Sequence, residues 1–127
     1  MSGQVYLCFD GSGLWKIGIA GDPKKRERQM RTGNATIRMP LSVTVEYPAA
    51  VEVELHAKFD DRRVSGEWFD LEPEDLYYIY NRLLGSGNRH SLSDFVIVHD
   101  VISKQRKASD YNWLRNLDTA FSRIENE

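Results

Sequence analysis

An α+β fold is predicted: a small three-stranded antiparallel sheet flanked by helices in the order β-β-α-β-α, followed by a helical C-terminal extension. Three observations carry this. Two β-rich runs surround Gly11-Ser12-Gly13, a third run alternates from Leu41 to Tyr47, and apolar residues elsewhere recur at helical spacing. The 127 residues match one domain, and 41% hydrophobic with 28% charged residues excludes disordered, collagenous and disulfide-knotted classes. Residues 1–127 are therefore expected to form a single water-soluble body.

The first two runs, Gln4 to Asp10 and Leu14 to Ala20, read as a hairpin with positive φ at a loop glycine. Alternation puts Val5, Leu7 and Phe9 on one face with Trp15, Ile17 and Ile19, and Tyr6, Cys8, Lys16 and Gly18 on the other. A three-residue loop closed by Asp10 and Leu14 would set Tyr6 opposite Gly18 and Cys8 opposite Lys16, with Tyr6 diagonally in reach of Lys16. Asp22 before Pro23 is an N-cap signal, and Gly33 is expected as a left-handed C-terminal cap, so Lys24 to Thr32 should be helical. Met30 is that helix's only large apolar residue and must face the body, which is expected to carry Arg26 inward beside it. Lys24, Lys25, Arg28 and Arg31 make the rest of the helix basic.

Leu41, Val43, Val45 and Tyr47 alternate with polar residues as a third strand, and Pro48 opens a helix to about Phe59 with Val51, Leu55 and Phe59 as its apolar stripe. Glu52 and His56, one turn apart, border that stripe. Arg62 to Gly66 reads as a loop leading into Glu67-Trp68-Phe69-Asp70-Leu71. Pro73 opens a helix with Leu76, Tyr80, Leu83 and Leu84, ended by Gly85-Ser86-Gly87-Asn88. Phe95 to Ile102 fits a helix with Phe95, Val98 and Ile102 inward. Lys104 to Lys107 reads as a basic connector, and from Ser109 the spacing of Leu114, Leu117, Phe121 and Ile124 predicts an amphipathic terminal helix.

The net charge of −2 is unevenly spread: residues 1–40 carry seven Lys/Arg against three Asp/Glu, and residues 41–75 carry three against ten. Such a split suits a site that attracts phosphate with one part and holds a cation with another, although two solvated faces of opposite sign would read the same way. No apolar run approaches the roughly 18 residues of a bilayer span, and no basic segment precedes an apolar one at the start, so neither membrane insertion nor secretion is expected. Cys8 is the only cysteine, which excludes an internal disulfide and a multi-thiolate zinc site and fits a reducing compartment.

Gln4-Val5-Tyr6, then Lys16-Ile17-Gly18, then Arg26 eight residues after Gly18, then Glu52 on the helix after the third strand, resembles the GIY-YIG nuclease superfamily. Glu52 to His56 and Gly66-Glu67-Trp68-Phe69 bring the pattern closest to the branch named after a meiotically up-regulated fungal gene and the phage T5 orf172-like domains. The resemblance covers residues 4–71 as a core and leaves 72–127 as an extension. It implies a metal-dependent endonuclease acting on DNA in a bacterial or phage-infected cytoplasm, with Tyr6, Lys16, Arg26, Glu52 and His56 as catalytic residues. Glu52 would hold one Mg²⁺ or Mn²⁺, a hard cation that accepts few protein carboxylates and keeps several waters. Arg26 would grip the scissile phosphate through its planar fork of donors. Tyr6 would orient or deprotonate the attacking water, aided by Lys16, Arg26 and the metal; Gly18 would leave room for the phosphate or the Tyr6 ring; Lys16 would supply positive charge. Lys24, Lys25, Arg28 and Arg31 are the expected nucleic-acid-binding residues.

Two positions depart from the superfamily pattern. Lys16 stands where tyrosine is usual, as it does in the branch named, and Met30 stands where many members have His or Tyr. The resemblance makes His56 a candidate replacement base, since an imidazole takes and gives a proton near neutral pH, whereas spacing alone favours a half-buried histidine bonded to backbone. Glu67 is open between a cap, an arginine partner and a metal assistant. Trp68 and Phe69 read as core, His90 and His99 as structural, and Tyr77, Tyr78 and Tyr80 as packing. Two further functions compete with hydrolysis: a nucleic-acid-binding module without turnover, and an interaction domain whose C-terminal helix forms a homodimer or docks on a partner.

Overall fold

The computed structural model describes residues 2–105 and 112–125. Strands β1 (Gly3–Phe9) and β2 (Trp15–Ala20) form the expected hairpin in the expected register, with Tyr6 opposite Gly18 and Cys8 opposite Lys16. The Asp10 amide donates to the Leu14 carbonyl, and the Asp10 carboxylate accepts from the amides of Ser12, Gly13 and Leu14, which holds the three-residue loop. Gly11 and Gly13 take φ of +90° and +122° there.

Helix α1 (Pro23–Gly33) starts where the Asp22 carboxylate accepts from the Lys25 amide. Its other end corrects the expected glycine cap. Gly33 is the last helical residue, and Asn34, in extended conformation, caps the helix through its own amide while its side chain donates to the Asp10 carbonyl at 2.7 Å. Strand β3 (Arg38–Val45) pairs with β1, and α2 (Pro48–Lys58) follows with Val51, Leu55 and Phe59 buried as its spacing predicts.

The sheet has five strands rather than the expected three. A short 3-10 turn (Asp60–Arg62) leads into β4 (Arg63–Ser65) and β5 (Trp68–Phe69), so the segment expected as a loop forms the sheet's edge, and the spatial order is β3-β1-β2-β5-β4 with antiparallel pairing throughout. Helices α3 (Pro73–Leu84), α4 (Leu92–Gln105) and α5 (Asn112–Ser122) complete the described chain. Residue 106 onward in the basic connector, Ser109, and the side chain of Leu114 lie outside what is described.

Alternation along the strands splits the interior in two. Val5, Leu7, Phe9, Trp15, Ile17, Leu41 and Phe69 share one large cluster with residues of α2, α3, α4 and α5. Tyr6, Cys8 and Ile37 form a small second cluster, against which Met30 of α1, Met39 and Trp68 pack. The apolar stripe of α5 is consumed within the chain: Leu117, Ala120, Phe121 and Ile124 are buried, and the Phe121 ring lies 5.4 Å from Phe9 and 5.7 Å from Trp15. Those residues are therefore not a free surface for the homodimer expected through this helix. Among the described residues, no helix is long and apolar enough to cross a membrane.

Candidate active site

Tyr6 is 2% exposed, and its ring lies across Gly18 on β2. A methyl group at position 18 would stand 2.6 Å from both Cζ and Oη of that ring, so the glycine is required by the tyrosine's close approach. The tyrosine hydroxyl forms no hydrogen bond within the described residues.

Lys16 shares the Tyr6 face, on the strand between β1 and β5. Its Nζ lies 3.4 Å from Oε2 of Glu67, the residue just before β5, with the lysine side chain only 13% exposed. Glu67, open in the sequence reading, is thus the partner of Lys16. From α2, Glu52 comes into the same neighbourhood half-buried. Partial desolvation pushes its carboxyl up, the negative charge of Glu67 pushes it further, and His56 and Lys16 oppose the rise. Glu52 makes no ion pair among the described residues, and the nearby lysine is bridged to Glu67.

His56, one turn along α2, is half-buried with its ring 5.2 Å from Phe69, and Nε2 lies 2.8 Å from the Ile17 carbonyl. The backbone-bonded alternative for this histidine is thus what its contacts display.

Arg26 corrects an expectation. It is exposed, not carried inward, and its side chain contacts no ionic partner among the described residues. Beside Met30, the polar residue turned inward is Glu27. Its carboxylate accepts from the Met39 amide at 2.9 Å and pairs with Arg31, whose Nε donates to the Ile37 carbonyl. Arg31 is therefore engaged in holding α1 to the strand side. Lys24, Lys25 and Arg28 remain exposed and without ion-pair partners among the described residues.

Lys16, Glu52, His56 and Glu67 thus gather at the outer edge of β2, with Tyr6 and Gly18 on the same face of that strand as Lys16. Arg26 stands apart on α1. Among the described residues, no group of three or more His, Cys, Asp and Glu is disposed to enclose a metal ion. This donor set does not suit zinc, which needs three or four protein ligands. It does suit a hard cation held by one carboxylate and mostly by water, because Glu52 offers an oxygen donor that is under negative pressure from Glu67 and lacks a cation of its own. Cys8 takes no part: burial pushes its thiol up to about 12, so it stays protonated and unreactive.

These features define a small α+β domain whose polar cluster sits where a mixed-length sheet leaves one strand edge open. The chain belongs to the T5orf172 domain family, whose match spans residues 3–84, from the first strand through α3. Neither a curated protein nor a solved structure matches it.

Proposed function

We propose that the chain is a metal-dependent endonuclease of GIY-YIG type that hydrolyses phosphodiester bonds in DNA. The observation that carries this reading is Glu52: a half-buried carboxylate with no cation of its own, beside a lysine and one strand from a tyrosine pressed onto glycine. A packing role requires none of these groups in that company. Glu52 would hold the ion, and bound Mg²⁺ or Mn²⁺ supplies Lewis acidity toward the phosphoryl group. Arg26, exposed and unpaired, binds the phosphate on approach, and Lys24, Lys25 and Arg28 extend the same cationic face along the backbone of the nucleic acid. Tyr6 orients the attacking water, and Lys16 places fixed positive charge beside it.

The test is nicking of supercoiled plasmid with Mg²⁺ or Mn²⁺. Wild type should nick only with metal, and Glu52→Ala and Arg26→Ala should each lower the rate by about 10²-fold or more. Metal-independent nicking, or an Ala variant at either position with undiminished rate, overturns the proposal. A second reading is favoured by the Lys16–Glu67 bridge, which ties up the residue standing at a usual tyrosine position. Salt-sensitive DNA binding with no nicking would establish that reading, a binding module without turnover, in place of the first.

A further inference from the structure

Strand β5 is too short to cover β2. Their pairing is limited to Trp15 with Phe69 and Lys16 with Trp68, extended only by the Ile17 amide donating to the Glu67 carbonyl at 3.4 Å. The chain then turns away at Gly66, whose φ of +56° belongs to the left-handed region. The carbonyl of Ile17 points to the same side and has no strand partner left. His56 from α2 reaches it instead, at 2.8 Å. A carbonyl has no proton to give, so Nε2 must carry the proton and donate.

We propose that His56 is a positioning residue rather than a base acting through Nε2: it supplies the donor that a longer β5 would have supplied, and so fastens α2 to β2 at the site. Within the described residues this is the one side-chain hydrogen bond joining these two elements. Its leverage follows from what each end carries. Glu52 precedes His56 by one turn on α2, and Ile17 lies between Lys16 and Gly18 on β2. Phe69 backs the imidazole and limits its tilt. The bond therefore sets the Glu52 carboxylate relative to Lys16 and Glu67, and loosening it displaces Glu52 without removing any group that touches substrate. This assignment rests on the hydrolytic reading above for its consequence in turnover, but not for the bond itself.

Two substitutions separate the roles. His56→Gln keeps an N–H donor at similar reach, whereas His56→Phe keeps a ring against Phe69 and has no donor. In the plasmid assay across pH 6 to 9, His56→Gln should stay within about fivefold of wild type with an unchanged pH profile, while His56→Phe should lose about 10²-fold in kcat. If Gln falls as far as Phe and one limb of the profile disappears, His56 is a base and the proposal fails. A readout independent of turnover is the long-range ¹H–¹⁵N spectrum of wild type, in which Nε2 should be the protonated nitrogen, with its hydrogen protected from exchange. An unprotonated Nε2 overturns the proposal even if the protein nicks DNA. A protonated, protected Nε2 in a protein that never nicks would sustain the fastening bond and reject only the hydrolytic reading. Should His56→Phe fail to fold, the Gln comparison and the spectrum decide.

Discussion

The two faces of the sheet are made from alternate residues of the same strands, yet they serve opposite purposes. On one, Val5, Leu7, Phe9, Trp15 and Ile17 meet the apolar stripes of four helices in a single large cluster. On the other, Tyr6 and Cys8 join Ile37 in a buried cluster only three residues wide, against which Met30 of α1, Met39 and Trp68 pack, and Lys16 pairs with Glu67. The first face spends these five side chains on the main core, while the second holds a phenol, an ammonium and a missing side chain in fixed register. Rigidity on one side is what allows polar groups on the other to be placed without being packed for stability.

The sharpest way to test this asymmetry is to truncate one apolar side chain on each side. Phe121 is 1% exposed and touches both Phe9 and Trp15, so Phe121→Ala should cost about 3–5 kcal/mol in urea unfolding. Met30→Ala, at a half-buried residue beside the small cluster, should cost about 1 kcal/mol. Equal losses would mean that α1 contributes as much to the core as α5 does, and the contrast between faces would be gone. A large loss at Phe121 would also show that α5 is part of the fold's support, although it lies beyond the 3–84 family match.

Much of the packing face was legible in the sequence, because the hydrophobic effect writes it as periodicity. The hairpin register, the 51–55–59 stripe and the inward Phe95, Val98 and Ile102 all follow from spacing. What spacing missed is polar or short. Strands of three and two residues, one of them fully exposed, carry no alternation to detect. Arg26 was expected inward because only Met30 marked a face, whereas the inward contact of α1 is made by Glu27 through a backbone amide that no apolar pattern signals. The partner of His56 depends on where β5 stops, which is a matter of sheet geometry rather than of either residue. Glu67 could be singled out in advance, but its lysine could not.

A smaller effect is expected at the one close contact within the polar face. Gly18→Ala would place a methyl 2.6 Å from Cζ and Oη of Tyr6, and the ring is too enclosed to move freely. A loss of about 1–3 kcal/mol is expected, together with reduced nicking as the phenol is displaced. In a Tyr6→Ala background the same substitution should change stability by less than about 0.5 kcal/mol, since the obstructing ring is gone. Additive losses in the double variant would locate the strain in the backbone of β2 instead.

The smallest effect has the most telling sign. Desolvation and Glu67 hold the Glu52 carboxyl above its ordinary value of 4.5 in the folded chain, so the folded state keeps that proton more tightly than the unfolded state does. Stability from this group is complete below the unfolded value and is lost as pH rises through the raised one. A neutral side chain escapes the loss. Glu52→Gln should therefore melt about 1–3 °C above wild type at pH 7 without metal, a small shift because the carboxyl is only partly desolvated, and the difference should vanish near pH 4. If Glu52 holds the ion as proposed, added Mg²⁺ should raise the melting temperature of wild type more than that of Glu52→Gln and narrow the gap, since only the carboxylate offers the ion an anionic donor. A lower melting temperature for Glu52→Gln at pH 7 would mean that Glu52 supports the fold as the apolar face does, and the division of labour between the faces would fail at the residue that matters most to it.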